Sequence, residues 1–430
     1  MTENARVLPI GDGSPVVSSY QTTLTEHPVR TMRIVRGATL GGSGGVNGGY
    51  FCRGLPQDFD GWKLPGWTWA EVAEHFRAIE TDLDFPHSPA HGDSGPVEVS
   101  RTQEFVGVTA AFVDATKRAG FTWLADLNDG GTAATGVGAV PLNIVDGRRR
   151  GAGAAFLLPA LSRPNLCVLT GTRAVRIRFA GGRAVGVDAI GPTGPVTLTA
   201  DRIVLCGGAI GSAHLLMLSG VGPEPALRRL GIGVIVPAPV GLSCADHPEW
   251  VLPVDWAVAP SRPVLETVAS LNGVEIRAYT AGFNAMVGNP VGDRPDLPHI
   301  GVALMTPRTR GRVSLVSADP EVPPRIEHRY DNEPDDIAAL AEGAAVAREL
   351  AAAAAEVGEP VWSTSQHLCA TAPMGADTDP GAVLDARCRV RGVEGLWVID
   401  GSILPAIPSR GPHATTVMLG HRAAEFVRVG

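Results

Sequence analysis

The hydrophobic pattern changes period several times along the chain, and each change marks an element. Thr68 and Glu71 form a capping box ahead of Val72, Phe76 and Ile79, three apolar positions on one helical face. This predicts a helix that begins at Thr68 and packs on the body through that stripe. From Leu166 the period drops to two. Residues 166–169, then Val175, Ile177 and Phe179, read as strand, Gly181-Gly182 turns the chain, residues 184–190 return antiparallel, and residues 196–198 follow a second turn. The prediction is a small meander. It runs into the continuous apolar strand 201–206, a glycine turn over 207–211, and a helix from Ser212 that stops at Gly220. A buried strand, a glycine turn and a helix N-terminus form the anion-holding unit of an open α/β sheet. The same glycines also suit plain close packing of helix on strand.

Residues 225–230 predict a second short helix. Beyond Pro248, alternating apolar residues in 274–276, 300–305 and 312–316 predict a sheet with one open face, the usual form of a substrate platform. Pro334, Asp335 and Asp336 open an alanine-rich helix to about residue 356, with its acids at the positive end. Residues 396–399 predict a buried strand ending at Asp400-Gly401, and the 408–416 segment leads into a final helix. The first thirty residues read as an extended lead-in, and Arg33-Ile34-Val35 as a short strand feeding a glycine loop. The fold class is α/β with an α+β portion.

With 430 residues, 44% of them hydrophobic, the chain has room for two domains or one composite one. A net charge of −8 argues against a nucleic-acid surface, which needs a basic excess. The sequence predicts no transmembrane segment and no secretory leader. The expectation is therefore a cytoplasmic protein, with contact at the inner face of a membrane as the one peripheral option. Six scattered cysteines without a Cys-x-x-Cys pair predict reduced, mostly buried thiols.

The candidate chemistry centres on Arg36-Gly37 through Gly54. Six glycines between Gly41 and Gly49, interrupted by Ser43, Val46 and Asn47, leave backbone amides bare for a phosphate or a planar ring. A flexible linker, a structural turn and a Gly-x-Ser-x-Gly nucleophile elbow compete for the same residues, although Val46-Asn47-Gly48-Gly49 is a poor helix start for an elbow. His367 and His413 each sit in a loop of small residues and are candidate acid–base groups. His421, inside the final helix, reads as structural or exposed. His87, His91 and Asp93 have metal-like spacing, but Pro89 breaks the helix that would align the imidazoles, so a surface loop is expected and no metal site.

Taken together, these stretches resemble the glucose-methanol-choline family of flavin oxidoreductases. Residues 36–54 resemble its first signature and 208–222 its second, with Ala213 where proline or serine is usual. Val240-Gly241, Asp246-His247-Pro248 and the closing block 385–425 resemble further family segments. The resemblance implies FAD as cofactor, lined by Arg36, Gly37, Gly41, Gly42, Ser43, Gly44, Asn47, Gly48, Gly49, Gly208, Asp400, Gly401, Ala414 and Thr415. Val175 falls where the family backbone meets the adenine. His367 and His413 fall at the paired active-site positions, His367 as base and His413 as its partner. Val46 stands where some relatives carry a flavin-linked histidine, which implies non-covalent FAD.

The implied organisation is a partial FAD-binding domain over 1–100, substrate domain over 101–150, FAD-binding domain again over 151–247, substrate domain over 248–375 and a C-terminal FAD-binding part over 376–430. A Gly-x-Gly-x-x-Gly strand and turn usually precede the segment at which this chain starts. The expectation is therefore an incomplete Rossmann-like domain beside a substrate domain whose antiparallel sheet carries helices on one face. The endings of the glycine loop, Gln366-His367-Leu368-Cys369 and residues 408–416 most resemble the member found with the mycofactocin system. This implies an enzyme that reoxidises reduced mycofactocin, a peptide-derived redox cofactor, and passes electrons toward the respiratory chain. An alcohol (choline-like) dehydrogenase or oxidase of the same family, and a non-catalytic remnant of one, are the rival readings.

Overall fold

The computed structural model describes residues 16–131, 135–256, 262–282, 298–352 and 355–429. Its largest sheet has seven strands, in the order Val361–Thr364, Pro248–Pro253, Pro298–Leu304, Val274–Gly282, Leu265–Leu271, Gly136–Ala139 and Trp123–Leu124. All neighbours pair antiparallel except the last two strands, which are parallel. The period-two pattern sorts the faces. Val274, Ile276, Ala278, Ile300, Val302, Leu304 and Leu252 join one core with Leu340, Ala344 and Ala347 of the Pro334–Ala351 helix and with Phe112 of the Gly107–Arg118 helix. The alternate positions Glu249, Glu275, Arg277, Tyr279 and His299 share the opposite face, as side chains two residues apart on a strand must.

That second face is not the open face the sequence predicts. Every residue of Pro298–Leu304 is buried, because the rest of the chain folds over the sheet and leaves a cavity between.

The long helix lies close on the sheet at Gly343, where an added Cβ would come within 2.7 Å of Val302 Cγ1 and 2.8 Å of Val274 Cγ1. Alanine there gains about 1 kcal/mol of helix propensity. Overpacking two branched strand residues costs about 1–3 kcal/mol. Gly343→Ala is therefore expected to lower the unfolding temperature, and Gly343→Val to lower it further. Calorimetric melting checks both, and a raised Tm for the alanine variant would contradict the close approach.

The meander forms as the sequence predicts, over Arg173–Ala180, Arg183–Gly191 and Gly194–Thr199. It leads to the strand Ile203–Leu205, which pairs in parallel with Leu396–Val398 in register Ile203↔Leu396. The Gly208–Leu218 helix follows at once. It starts four residues before the expected Ser212, so the glycines form its first turn.

Three further expectations fail. Residues 166–169 form no strand, and Leu166 and Leu169 are exposed, since no pairing strand lies beside them among the described residues. The N-terminal lead-in is, from Val17, a hairpin of Val17–Glu26 and Val29–Gly37, joined to Arg325–Glu327 and Arg312–Ser314 in a four-stranded sheet. Its threonine-rich first strand buries Thr22, Leu24 and Thr25, a pattern that suits a half-buried sheet surface. The lead-in before residue 16 lies outside the described residues. His91 is not in a surface loop either. It is buried among Glu80, Asp82 and Asp126.

Candidate active site

One cavity of about 1400 Å³ lies between the seven-stranded sheet, the glycine loop and the two helix starts at Gly208 and His413. Drug-sized ligands occupy pockets of about 300–1,000 Å³, so the space suits something the size of a dinucleotide. Of the residues singled out in the sequence, Arg36, Gly37, Gly41, Gly42, Ser43, Gly44, Asn47, Gly48, Gly208, Asp400, Gly401, His367 and His413 all line it. Gly49, Val175, Ala414 and Thr415 are absent from the lining. Gly49 packs on Ile144, Val175 sits in the first meander strand, and Ala414 and Thr415 are buried in the first turn of the terminal helix. Val46 also lines the cavity, and its side chain offers no atom for a covalent link to a flavin.

The glycine loop is held from below. Ser43 Oγ accepts from Gly37 N at 3.1 Å, Asn47 Oδ1 accepts from Gly49 N at 3.0 Å, and Arg149 Nη1 donates to the Gly45 carbonyl. Across the cavity, Asp400 is fully committed. One carboxylate oxygen accepts from Gly208 N at 2.9 Å and Ser212 Oγ at 2.6 Å, the other from Ser402 N and Ser402 Oγ. Burial raises its pKa, against these hydrogen bonds. Its work is to tie the helix start at Gly208 to the turn at Gly401.

His367 and His413 approach the cavity from separate segments. Gln366 turns the chain with φ of 60°, a left-handed geometry that costs a non-glycine residue of order 1–3 kcal/mol. Gln366 Oε1 accepts from Val35 N at 2.9 Å, which helps hold that turn. Buried Asp246 fixes the next residue, since its Oδ1 accepts from the backbone N–H of both His247 and His367 at 2.8 Å. The His367 ring meets His247 edge-on, Nδ1 to Nδ1 at 2.8 Å. Burial first, then His247, Arg277 and Arg36, push the His367 pKa well below the usual imidazole value. His413 is buried at the first position of the terminal helix, its ring edge-on to Phe51, and its pKa is lowered to about 4 by burial and then Arg149. Both imidazoles are neutral at pH 7. Gly411, two residues before His413, would place a Cβ 3.4 Å from His367 Cε1, so the two segments touch.

The sheet face beyond His367 carries a charge-balanced polar floor. Arg277 donates through Nε and Nη2 to Glu275 Oε2 at 3.0 and 2.8 Å, and through Nη1 to Glu249 Oε2 at 3.3 Å and Ser365 Oγ at 2.9 Å. Glu275 Oε1 accepts from Arg410 Nη1 and the Tyr50 hydroxyl at 3.0 and 2.9 Å. Tyr279 stacks on His299 and donates to Glu249 Oε1 at 3.1 Å. Two carboxylates face two guanidinium groups, which is how a buried charge cluster avoids a large desolvation penalty. None of Glu249, Arg277, Tyr279 or His299 stands out in the sequence as a single residue. Their signal is the alternation itself, which places Glu275, Arg277 and Tyr279 opposite the helix-packed face.

Gly301 is where this floor has no slack: an added Cβ would fall 2.1 Å from Glu249 Oε1 and 2.7 Å from Tyr279 Cε2. Ser365, Arg277 and Tyr279 hold the carboxylate, so it has nowhere to swing. Gly301→Ala is expected to displace the Glu249–Tyr279 pair and reduce kcat/KM by roughly tenfold or more, since small misplacements at a site of this kind are costly. Steady-state kinetics with the preferred alcohol checks it, and unchanged kcat/KM would show that the floor does not contact substrate.

The donor set fits FAD. Two helix N-termini and a glycine-bared loop supply backbone N–H groups for a pyrophosphate. Arg36 Nη2, Arg149 Nε and His413 Nε2 are buried in or beside the cavity wall without a hydrogen-bond partner among the described residues. Gly44 leaves bare a spot where a Cβ would lie 2.6 Å from His413 Cε1. Arg36, the loop 41–48 and Gly208 would hold the cofactor, which would supply the redox chemistry in the cavity that His367 and His413 line.

A doubly layered α/β chain with such a cavity is a dinucleotide-dependent oxidoreductase in form. Residues 16–249 and 307–420 match the N- and C-terminal models described as GMC oxidoreductase, and the chain belongs to that family, whose cofactor is FAD. It is 42% identical to an uncharacterized GMC-type oxidoreductase of Rhodococcus erythropolis, over 98% of this chain and 88% of the relative. It is 31% identical to an oxygen-dependent choline dehydrogenase of Brucella anthropi, over 93% and 82%. Among solved structures, pyridoxine 4-oxidase from Mesorbium loti superposes with a TM-score of 0.88 at 25% identity, covering all of this chain and 92% of that one. No helix among the described residues is long and apolar enough to cross a membrane.

Proposed function

We propose that this chain oxidises the CH–OH group of a small polar alcohol, with His367 as the base that takes the hydroxyl proton. The observation that carries the reading is the pair of neutral imidazoles, His367 and His413, on one cavity with the glycine loop. FAD, when bound, supplies the two-electron acceptor for the hydride leaving the same carbon. Nε2 of His367 takes the O–H proton, so the alcohol loses two electrons and two protons' worth of hydrogen and becomes a carbonyl. His413 holds the substrate oxygen as charge builds on it. The polar floor of Glu249, Tyr279 and Ser365 orients the remainder of the molecule. Arg277 spends its donors on Glu275, Glu249, Ser365 and Met305, which leaves a substrate carboxylate no counter-ion there.

The finer reading is that the donor is of hydroquinone type, reduced mycofactocin in place of an alcohol, and that electrons continue to a respiratory acceptor. Its support is the residue resemblance over 46–51, 366–369 and 408–416. The rival, a choline-like or pyridoxine-like alcohol dehydrogenase or oxidase, draws support from the named relatives.

Anaerobic mixing of the FAD-loaded protein with choline, pyridoxine and reduced mycofactocin, followed by bleaching of the flavin absorbance, separates these donors. Peroxide release against reduction of a quinone dye then separates oxidase from dehydrogenase. Faster bleaching by reduced mycofactocin than by either alcohol supports the finer reading. Bound FAD that no CH–OH donor bleaches would defeat the proposal.

A further inference from the structure

The contact between His247 and His367 settles which nitrogen of the base is free. An Nδ1–Nδ1 distance of 2.8 Å requires one ring to donate and the other to accept. Which does which follows from the far side of His247. That residue is wholly buried, and the carbonyls of Met305 and Pro408 face its ring. Carbonyl oxygens only accept, Nδ1 is already engaged by His367, and Nε2 of His247 is buried with no hydrogen-bond partner among the described residues. The ring's own proton is therefore placed on Nε2, in the carbonyl-rich surroundings that favour an N–H over a bare lone pair. Burial lowers the His247 pKa to about 3, with Arg277 adding to it, so the ring holds that one proton and no second. Its Nδ1 is then bare.

We propose that His247 is a positioning residue: its bare Nδ1 accepts from Nδ1–H of His367 and so fixes the tautomer in which Nε2 of His367 carries no proton and is free to take one. This rests on the reading of His367 as base. Among the described residues nothing hydrogen-bonds to His367 Nε2, and the ring lines the cavity. The backbone side of the device is Asp246, whose Oδ1 takes both the His247 and His367 N–H groups and so sets the two rings against each other. With the opposite tautomer, Nε2–H would point at the substrate hydroxyl and could donate but not accept. A neutral histidine without a partner on Nδ1 is free to populate both forms, and part of the enzyme would be in the unproductive one.

The test pairs a spectroscopic readout with kinetics. In FAD-loaded protein labelled with ¹⁵N-histidine, the His367 signals are assigned by their loss in His367→Gln. The expected result is a protonated, pyrrole-type Nδ1 and a bare, pyridine-type Nε2 on His367, with the reverse on His247. A protonated Nε2 on His367 overturns the proposal, whatever the activity. For the kinetics, His247→Leu keeps bulk but no acceptor and should lower kcat by about tenfold or more with KM nearly constant. His247→Asn places an amide oxygen where Nδ1 lies and should restore most of that loss. Equal loss in both variants, with FAD still bound, makes His247 merely structural and counts against the proposal. If His367→Gln itself turns over normally, the base reading fails instead, and the tautomer measurement still stands by itself.

Discussion

His367→Ala is expected to lower kcat by about 10²–10⁴-fold, the range that a positioned general base contributes, while FAD stays bound. The separation follows from where the imidazole stands. The cofactor contacts argued for this chain come from the glycine loop, Arg36 and the helix start at Gly208, none of which the His367 ring supports. Its own restraints, Asp246 on the backbone and His247 on Nδ1, lie on the sheet side. Losing the ring should therefore remove proton transfer and little else. Stopped-flow measurement of flavin bleaching by a saturating alcohol isolates that step from reoxidation. A rate within a fewfold of the parent would take His367 out of the base role, and a larger loss from His413→Ala than from His367→Ala would exchange the two assignments.

Much of this site was legible in the sequence because it is built from local patterns. The glycine loop, the capping box at Thr68 and Glu71, the meander, and the loops carrying His367 and His413 each announce themselves within a dozen residues. The structure finds each of them. Sequence pattern fails where a residue's role depends on partners far along the chain. His247 is 120 positions from His367, and no spacing rule links an Asp-His-Pro triplet to it. The polar floor is spread over Tyr50, Glu249, Glu275, Arg277, Ser365 and Arg410, and becomes one cluster only when strand register is known. The same limit explains the two misread strands. Residues 166–169 are apolar enough for a strand but lack a partner among the described residues, whereas the threonine-rich 17–26 has one in 29–37. His421, read from the sequence as structural or exposed, is structural: it pairs with His75, Nδ1 to Nδ1 at 2.9 Å, and what the sequence could not show is that it also lines the cavity.

The second large effect lies away from the chemistry, at the exit of the glycine loop. Arg53, three residues past Tyr50, ion-pairs with Glu80, and Arg101 donates to Asp82 at 2.9 Å and Asp126 at 2.7 Å. His91 sits between, with Nδ1 2.8 Å from Glu80 and 3.1 Å from Asp82, and Nε2 2.7 Å from Asp126. Glu80, Asp82 and His91 bring ligand-type atoms within 4.8 Å of one another, close enough to suggest a cation. Two guanidinium groups and the imidazolium already supply three positive charges to the carboxylates of Glu80, Asp82 and Asp126, with Asp84 a fourth, more exposed acid 3.4 Å from Arg101 Nη1, so the buried acids are matched without one. Removing one partner from such a buried set strands the rest: Arg101→Ala is expected to cost about 3–5 kcal/mol of stability, read as a fall in the denaturant midpoint at unchanged m-value. Because Asn128 also holds the backbone at Arg53 and Phe51, the same variant should loosen the loop and weaken FAD retention. The imidazole adds a pH signature. Burial alone would lower the His91 pKa, but the hydrogen bonds to Asp126 and Glu80 and the charges of Asp126 and Asp82 raise it from 6.5 to about 9. A raised folded-state pKa means stabilisation that is complete below pH 6.5 and lost as pH rises through about 9. Melting temperatures between pH 6 and 10 should therefore fall across that window in the parent, and His91→Gln should start lower and lack the step. A parent curve flat from pH 7 to 10 would mean that His91 is neutral, and that the cluster carries an unbalanced negative charge.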